Sequence, residues 1–304
     1  MLGETNGTRR VGPATGRVGL TEPPPRPGGA GGAGGDDPSA LVVEFAQRTT
    51  AGSLHAGNED AICCWPSGRE VLFAVADGVG GHEDGAVASA TALDCLLETW
   101  GAGPPQGSPL KRLRRAVERA NLAVYDAGQA RMRTTLTVSV LGPRTVTTAH
   151  VGDCRLLLFR DGTLLQLTDD HNLAARSARY GLPSVTDLPD DPGRRLLTRS
   201  LGQDPYLRID TLSLRLRPGD IYVQCSDGLA TLSGADIIRV LVRHAPIAAA
   251  ECLIQLAQQA GGRDDMSVQV MWVSSPALRQ RFDPSDTTLQ RSEAERGGAF
   301  EPTG

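Results

Sequence analysis

The sequence predicts an α+β fold in which sheets pack face to face with helices outside. Three observations carry that reading. Most apolar runs are short, as strands are. Those between Thr135 and Thr168 follow one another too closely for crossover helices, which marks an antiparallel meander. The segments with helical spacing come in pairs.

Taken in order, the runs Leu41–Ala46, Val71–Ala76, Leu136–Leu141, Val146–His150, Arg155–Phe159, Thr163–Leu167, Asp220–Cys225 and Ser267–Val273 read as strands. Asp161-Gly162, between two of them, is a strong hairpin signal. Gly85 to Trp100 places Val87, Ala90, Leu93 and Leu97 on one helical face, and Leu110 to Ala130 does the same with Leu113, Val117, Ala120 and Val124. Ser233 to His244 and Ala248 to Ala260 form a second helix pair, broken at Pro246.

The ends read differently. Met1 to about Ala40 holds Pro23, Pro24, Pro25, Pro27 and a glycine-rich run from Gly28 to Gly35, a composition expected to stay disordered. Residues 275–304 are polar and charged, and are expected to form a disordered tail. Thr287, Thr288 and Ser292 lie there as candidate phosphorylation sites, although a solvated linker without a role is the better reading. The folded body is expected over 41–274 as one domain without repeats.

Composition narrows the function. Of 304 residues 40% are apolar and only 4% aromatic, so aliphatic side chains must fill the core. A net charge of -4 argues against a general nucleic-acid binder. Lys111 is the only lysine, so arginine clusters such as Arg112, Arg114 and Arg115 read as a solvated helix face. The six cysteines contain no C-x-x-C pair, and most lie in apolar runs as small hydrophobes. With no apolar leader and no run long enough to span a bilayer, a soluble, cytoplasmic protein without a membrane partner is expected.

The informative residues are aspartates at strand ends beside glycine. Val71 to Ala76 runs into Asp77-Gly78-Val79-Gly80-Gly81-His82, and Ile221 to Ser226 runs into Asp227-Gly228. Val146 to Val151 leads to Gly152-Asp153, Gly261-Gly262-Arg263-Asp264-Asp265 precedes the last strand, and Asn58-Glu59-Asp60 follows the first by a loop. Each Asp-Gly alone is more often a turn than a ligand. Several carboxylates at one rim would repel each other unless a cation neutralised them, and oxygen ligands suit magnesium or manganese.

That set resembles the metal-dependent protein phosphatase family, type 2C, in its bacterial form. The motifs are GNEDA (Gly57–Ala61), ADGVGGH (Ala76–His82), TTLTV (Thr134–Val138), HVGDCR (His150–Arg155), LTDDH (Leu167–His171), LLTRSLG (Leu196–Gly202), GDIYVQCSDGL (Gly219–Leu229) and GGRDDMSV (Gly261–Val268). The match covers about Phe45 to Val273. The resemblance implies a four-layer α-β-β-α sandwich, two antiparallel sheets flanked by helix pairs. It implies a serine/threonine phosphatase in which a metal-activated water attacks phosphorus in line, with two Mn²⁺ or Mg²⁺ ions and room for a third. Asp77 then bridges the metals and the Gly78 carbonyl adds a contact. Asp227 and Asp264 hold one ion, Glu59 and Asp60 act on the other, and Asp153 shares a third ion with Asp227. The segment from about His171 to Arg199 is the variable flap. Phosphoproteins as substrates, a cognate serine/threonine kinase as partner, and a monomer complete the expectation.

Three departures stand out. The arginine that often grips phosphate in this family is His55, which implies a weakened or pH-sensitive clamp unless another group such as Arg48 does that work. The glycine usual before the Thr-Thr pair is Arg133, which shifts a loop without removing a ligand. Asp265 stands where Asn is usual, either tightening metal binding or supporting it from behind. His82 is a candidate general acid for the leaving oxygen, or simply a helix-start residue. A phosphoprotein-binding scaffold, motivated by His55, and a metal-dependent nuclease are the competing readings. The carboxylate set argues against the first and the acidic charge against the second.

Overall fold

The computed structural model describes residues 9–12, 14–20, 40–54, 57–79, 83–102, 107–129, 131–180 and 196–275. In chain order come β1 (Arg9–Val11), β2 (Thr15–Leu20), β3 (Leu41–Thr50), β4 (Asp60–Ser67), β5 (Glu70–Val79), α1 (Glu83–Ala102) and α2 (Pro109–Gly128). Then follow β6 (Arg133–Thr134), β7 (Leu136–Leu141), β8 (Thr145–Val151), β9 (Arg155–Arg160), β10 (Thr163–Gln166), α3 (Leu173–Arg179), β11 (Asp210–Arg215) and β12 (Ile221–Cys225). The helices α4 (Gly234–Arg243) and α5 (Pro246–Gln259) and the strand β13 (Met266–Ser274) close the domain.

The strands form two sheets. The first has the order β1-β4-β5-β7-β8-β11, with β6 continuing the β7 pairing along β5; the second has the order β10-β9-β12-β13-β3-β2. Leu72, Ala74 and Ala76 point out of the first sheet onto Leu93, Leu96, Leu113 and Val117 of α1 and α2. Val223, Val268 and Val270 of the second sheet meet Val240, Leu241, Leu253 and Ile254 of α4 and α5. Between the sheets, Phe45 meets Phe73 edge to face with centroids 5.1 Å apart, alongside Leu141, Leu158 and Tyr222. The layers are therefore α-β-β-α, as expected.

A buried polar seam also crosses from sheet to sheet. Gln47, Gln224 and Gln269 are each 0% exposed. Ser139 donates to Gln224 Oε1 at 2.7 Å, Gln224 Nε2 donates to Gln269 Oε1 at 3.1 Å, and Gln269 Nε2 donates to Gln47 Oε1 at 2.8 Å. Gln224 and Gln269 also donate to the carbonyls of Thr137 and Cys63 in the first sheet. Satisfied amides stacked this way fix the register of both sheets, since any slip would leave buried donors unpaired.

Four points correct the sequence reading. The segment expected to be disordered up to Ala40 contains β1 and β2. β2 pairs antiparallel with β3 because β3 would otherwise be an edge, and its Leu20 enters the inter-sheet core at 1% exposure. β1 pairs with β4 in parallel, so the first sheet is not wholly antiparallel. β4 and β11 went unread. Pro66 interrupts the first, while the second is a short alternating strand with one open face. The helix pair is separated at Pro246 as expected, but α5 starts on that proline and not at Ala248, because a missing N–H costs nothing at the first helical position. The hairpin at Asp161-Gly162 is present, with φ of 51° and 79°. The expected tail beyond Ser275 lies outside the described residues, as do Thr287, Thr288 and Ser292.

Leu20→Ala should cost about 3 kcal/mol, as for other buried leucines, and deleting residues 1–20 should cost more. Both are read as lowered midpoints in urea unfolding. Unchanged midpoints would return this segment to a passive role.

Candidate metal centre

The acidic residues gather at one rim between the sheets because five strands begin or end there. β4 and β5 pair so that Asp60 stands directly opposite Asp77. Both project to the inner face, because Ala61 and Ala76 beside them face the helix layer. Like charges directly opposed across a ladder are destabilising without a counter-ion. From the other sheet, β12 ends at Cys225 and the chain turns at once into a short 3-10 turn, Asp227–Leu229. Asp153 follows β8, and Asp264 and Asp265 precede β13.

The backbone around these residues is tightly held. The Asp77 N–H donates to Thr135 Oγ1 at 3.0 Å, while the Asp77 carbonyl accepts from Thr135 N at 2.8 Å and Thr134 Oγ1 at 2.9 Å. Gly78 N donates to the Glu59 carbonyl at 3.2 Å, and a Cβ at Gly78 would collide with the Gly85 carbonyl. Only glycine lets α1 approach the end of β5 that closely. Glu59 is 4% exposed, and its carbonyl also accepts from Ser89 Oγ at 2.6 Å.

Asp60 is 2% exposed. Its Oδ2 accepts from Ser226 Oγ at 2.7 Å, its N–H donates to Asn58 Oδ1 at 3.0 Å, and its Oδ1 is buried without a hydrogen-bond partner among the described residues. Ser226 in turn accepts from Ser267 N at 2.9 Å. A buried carboxylate oxygen left open at a rim of carboxylates is what an absent hard cation would engage. Among the described residues no three of these side chains form a ready-made cage. Magnesium and manganese, which keep several waters, do not require one.

Asp153 is 5% exposed and accepts from Asn172 Nδ2 at 3.3 Å, while Asn172 Oδ1 caps α3 through Ala175 N. The Gly152 N–H donates to His171 Nδ1 at 3.0 Å, so the other ring nitrogen, 3.0 Å from Asp210 Oδ2, carries the proton. Arg199 holds Asp210 from behind. Arg155, which flanks Asp153 and Asp227, is committed to Asp170 at 2.6 Å.

The open alternatives at two positions narrow here. Asp265 is 4% exposed, and its two oxygens accept from Gly52 N at 2.7 Å and Glu59 N at 2.6 Å. It supports the Glu59 loop from behind, with each oxygen taking one backbone N–H. An asparagine would offer one acceptor where two N–H groups point. Arg48 pairs with Glu251 of α5 on the outer face of its sheet, away from the rim, and is not a replacement clamp. His55 and His82 lie outside the described residues. Sequence reasoning passed over Ser226, Thr135 and Asn172. Their signal was a hydroxyl or amide immediately beside a motif aspartate.

Burial dominates the acid–base behaviour. Asp60 is pushed up to about 8, Asp153 to about 7 and Asp227 to about 6, and Asp77 well above the carboxylate range. Desolvation is the largest cause in each case, and repulsion among the aspartates adds to it. The metal-free folded protein therefore keeps protons that the unfolded chain, with a carboxylate pKa of 3.8, gives up. Stability from this source is complete below about pH 4 and is lost as pH rises to about 8. In chelator, Tm should fall between pH 5 and pH 8. With manganese the fall should shrink and the metal-induced gain should grow with pH, because binding displaces protons. A gain that is flat with pH would contradict the protonated cluster.

Comparison with known proteins agrees with this geometry. The Protein phosphatase 2C family profile matches residues 53–264. Serine/threonine protein phosphatase PstP of Mycobacterium tuberculosis (strain ATCC 25618 / H37Rv) is 34% identical over 240 residues, which is 76% of this chain but 45% of PstP. The chain thus spans less than half the length of that relative. Protein phosphatase PhpP of Streptococcus pneumoniae is 29% identical over 241 residues, 75% of this chain and 97% of PhpP. The crystal structure of the PstP catalytic domain with two manganese ions superposes with a TM-score of 0.67 at 30% identity, covering 77% of this chain and 100% of that one. On the matched profile, the relatives and the shared sandwich, the chain belongs to the protein phosphatase 2C family.

Proposed function

We propose that this chain is a protein serine/threonine phosphatase that hydrolyses phosphoserine and phosphothreonine with two divalent cations, manganese or magnesium. The observation that carries the proposal is the pair Asp60 and Asp77, opposed on one inner face with an open, buried Oδ1 between sheet ends. That donor set is all oxygen, as hard cations prefer. Asp77 would serve both ions, and the Gly78 carbonyl would add a further contact. Asp227 and Asp264 would hold one, with Glu59 and Asp60 on the side of the other. Asp153 with Asp227 is a candidate for a third.

When bound, the ions supply a water of lowered pKa and neutralise charge on the phosphoryl oxygens. The protein's own part is to keep that chemistry in register. Thr134 and Thr135 fix the Asp77 backbone, Ser226 orients Asp60, and Asp265 holds the Glu59 loop. His82 remains the candidate proton donor to the leaving oxygen, and His55 a candidate phosphate contact. Phosphoproteins are the proposed substrates and a serine/threonine kinase the opposing partner, with a monomer in the cytoplasm as the working state. Among the described residues no helix is long and apolar enough to cross a membrane.

Hydrolysis of a phosphothreonine peptide should require manganese or magnesium and stop in chelator. Asp77→Ala should lower kcat/KM by more than about a thousandfold, about 4 kcal/mol. Retained activity would sink the mechanism. Ser226→Ala, which removes only the hydroxyl on Asp60, should weaken manganese binding by about tenfold in calorimetry. Metal binding without turnover in the unmodified chain would favour a phosphoprotein-binding scaffold instead.

A further inference from the structure

Among the described residues, one arginine at the mouth of the acidic rim has no ion-pair partner. Arg133 lies on β6, whose register with β5 pairs Gly78 with Thr134 and Val79 with Arg133. The same register places Thr135 opposite Asp77, with Thr135 N bonded to the Asp77 carbonyl. Residues directly opposed across an antiparallel ladder share a face, and alternate residues of one strand share it too. Asp77, Val79, Thr135 and Arg133 therefore project to the same side. That side is the inner one, because Thr137 and Ser139, next in the alternation, bond to His150 and Gln224 between the sheets. Arg133 is the diagonal neighbour of Asp77, at about 7–8 Å, a separation that long side chains cross.

The backbone of Arg133 is well anchored although its side chain is exposed. β6 lies between β5 and the 201 segment, with Thr134 and Leu201 exchanging hydrogen bonds of 3.2 and 2.8 Å. Among the described residues the Arg133 guanidinium has no ion-pair or hydrogen-bond partner. Arg155, another arginine near the rim, is spent on Asp170, and Arg48 on Glu251. An anchored, uncommitted guanidinium beside an anionic metal centre repels nothing that enters as a phosphate ester and matches two of its oxygens at once.

We infer that Arg133 is the group that grips the phosphoryl oxygens of the substrate, taking over a role that His55 fills poorly. This rests on the phosphatase reading above, with the phosphoryl group seated over Asp77. The guanidinium reaches it from β6. The unusual residues at 55 and 133 are then one exchange: a cation missing at one position of the sequence and supplied at another.

The test compares the unmodified chain, Arg133→Ala and Arg133→Lys, all loaded with manganese. Inorganic phosphate binding is measured by calorimetry, and KM and kcat with a phosphothreonine peptide. Arg133→Ala should weaken phosphate binding and raise KM by about tenfold each, equivalent to about 1.4 kcal/mol. Manganese affinity should stay within twofold. Arg133→Lys should restore part of the loss, because it returns the charge but not the fork. Phosphate affinity within twofold of the unmodified chain in Arg133→Ala would overturn the inference. A raised peptide KM with unchanged phosphate affinity would overturn it too, assigning Arg133 to a flanking acidic side chain. Phosphate binding that depends on Arg133 in a chain without turnover would keep the clamp and remove the phosphatase reading, so the two stand or fall separately.

Discussion

Carboxylates taken out of water must be neutralised, and that demand organises this domain. Asp60, Asp77, Asp153 and Asp227 are brought to one rim by the ends of β4, β5, β8 and β12, all in surroundings that disfavour their charge. Protons can satisfy the demand in part; divalent cations satisfy it fully. The neighbouring polar groups serve mainly to keep the carboxylates from turning away to easier partners. Ser226 occupies one oxygen of Asp60 and leaves the other open, and the two threonines of β6 and its junction with β7 hold the Asp77 backbone.

Such a rim needs sheets that do not slide, and the interior provides for that with polar atoms. The glutamine seam gives the sandwich a register that aliphatic packing alone would specify weakly, since aliphatic cores tolerate rearrangement. It runs toward the metal centre. Ser267 sits two residues from Gln269 on the same strand face, and Ser267, Ser226 and Asp60 form one continuous hydrogen-bonded line. Rigidity at the centre of the domain and aim at its edge thus share atoms.

Much of this was legible in the sequence, for identifiable reasons. β5 and β12 are apolar runs that end in Asp-Gly, so both strand and ligand candidate were visible together. The helices announced themselves by spacing. β1 and β2 were hidden because the composition of the first forty residues is dominated by the proline and glycine that follow them. β4 was hidden by Pro66, and β11 by its brevity. At the site, the carboxylates could be read from the motifs, but the work of Asp265 could not. A second carboxylate beside Asp264 looks like a ligand in one dimension and becomes a backbone acceptor only when Gly52 and Glu59 are folded against it.

The pairing of β3 with β13 bears on the order of folding. Leu41–Thr50 finds its central partner in Met266–Ser274, so the strand made near the start must wait for the one made near the end. Contacts this distant in sequence are slow to close. Until the ribosome has released the last strand, β3 can pair only with β2, the strand just before it. β2 therefore covers the edge of β3 that can be closed early, while the edge toward β13 closes late.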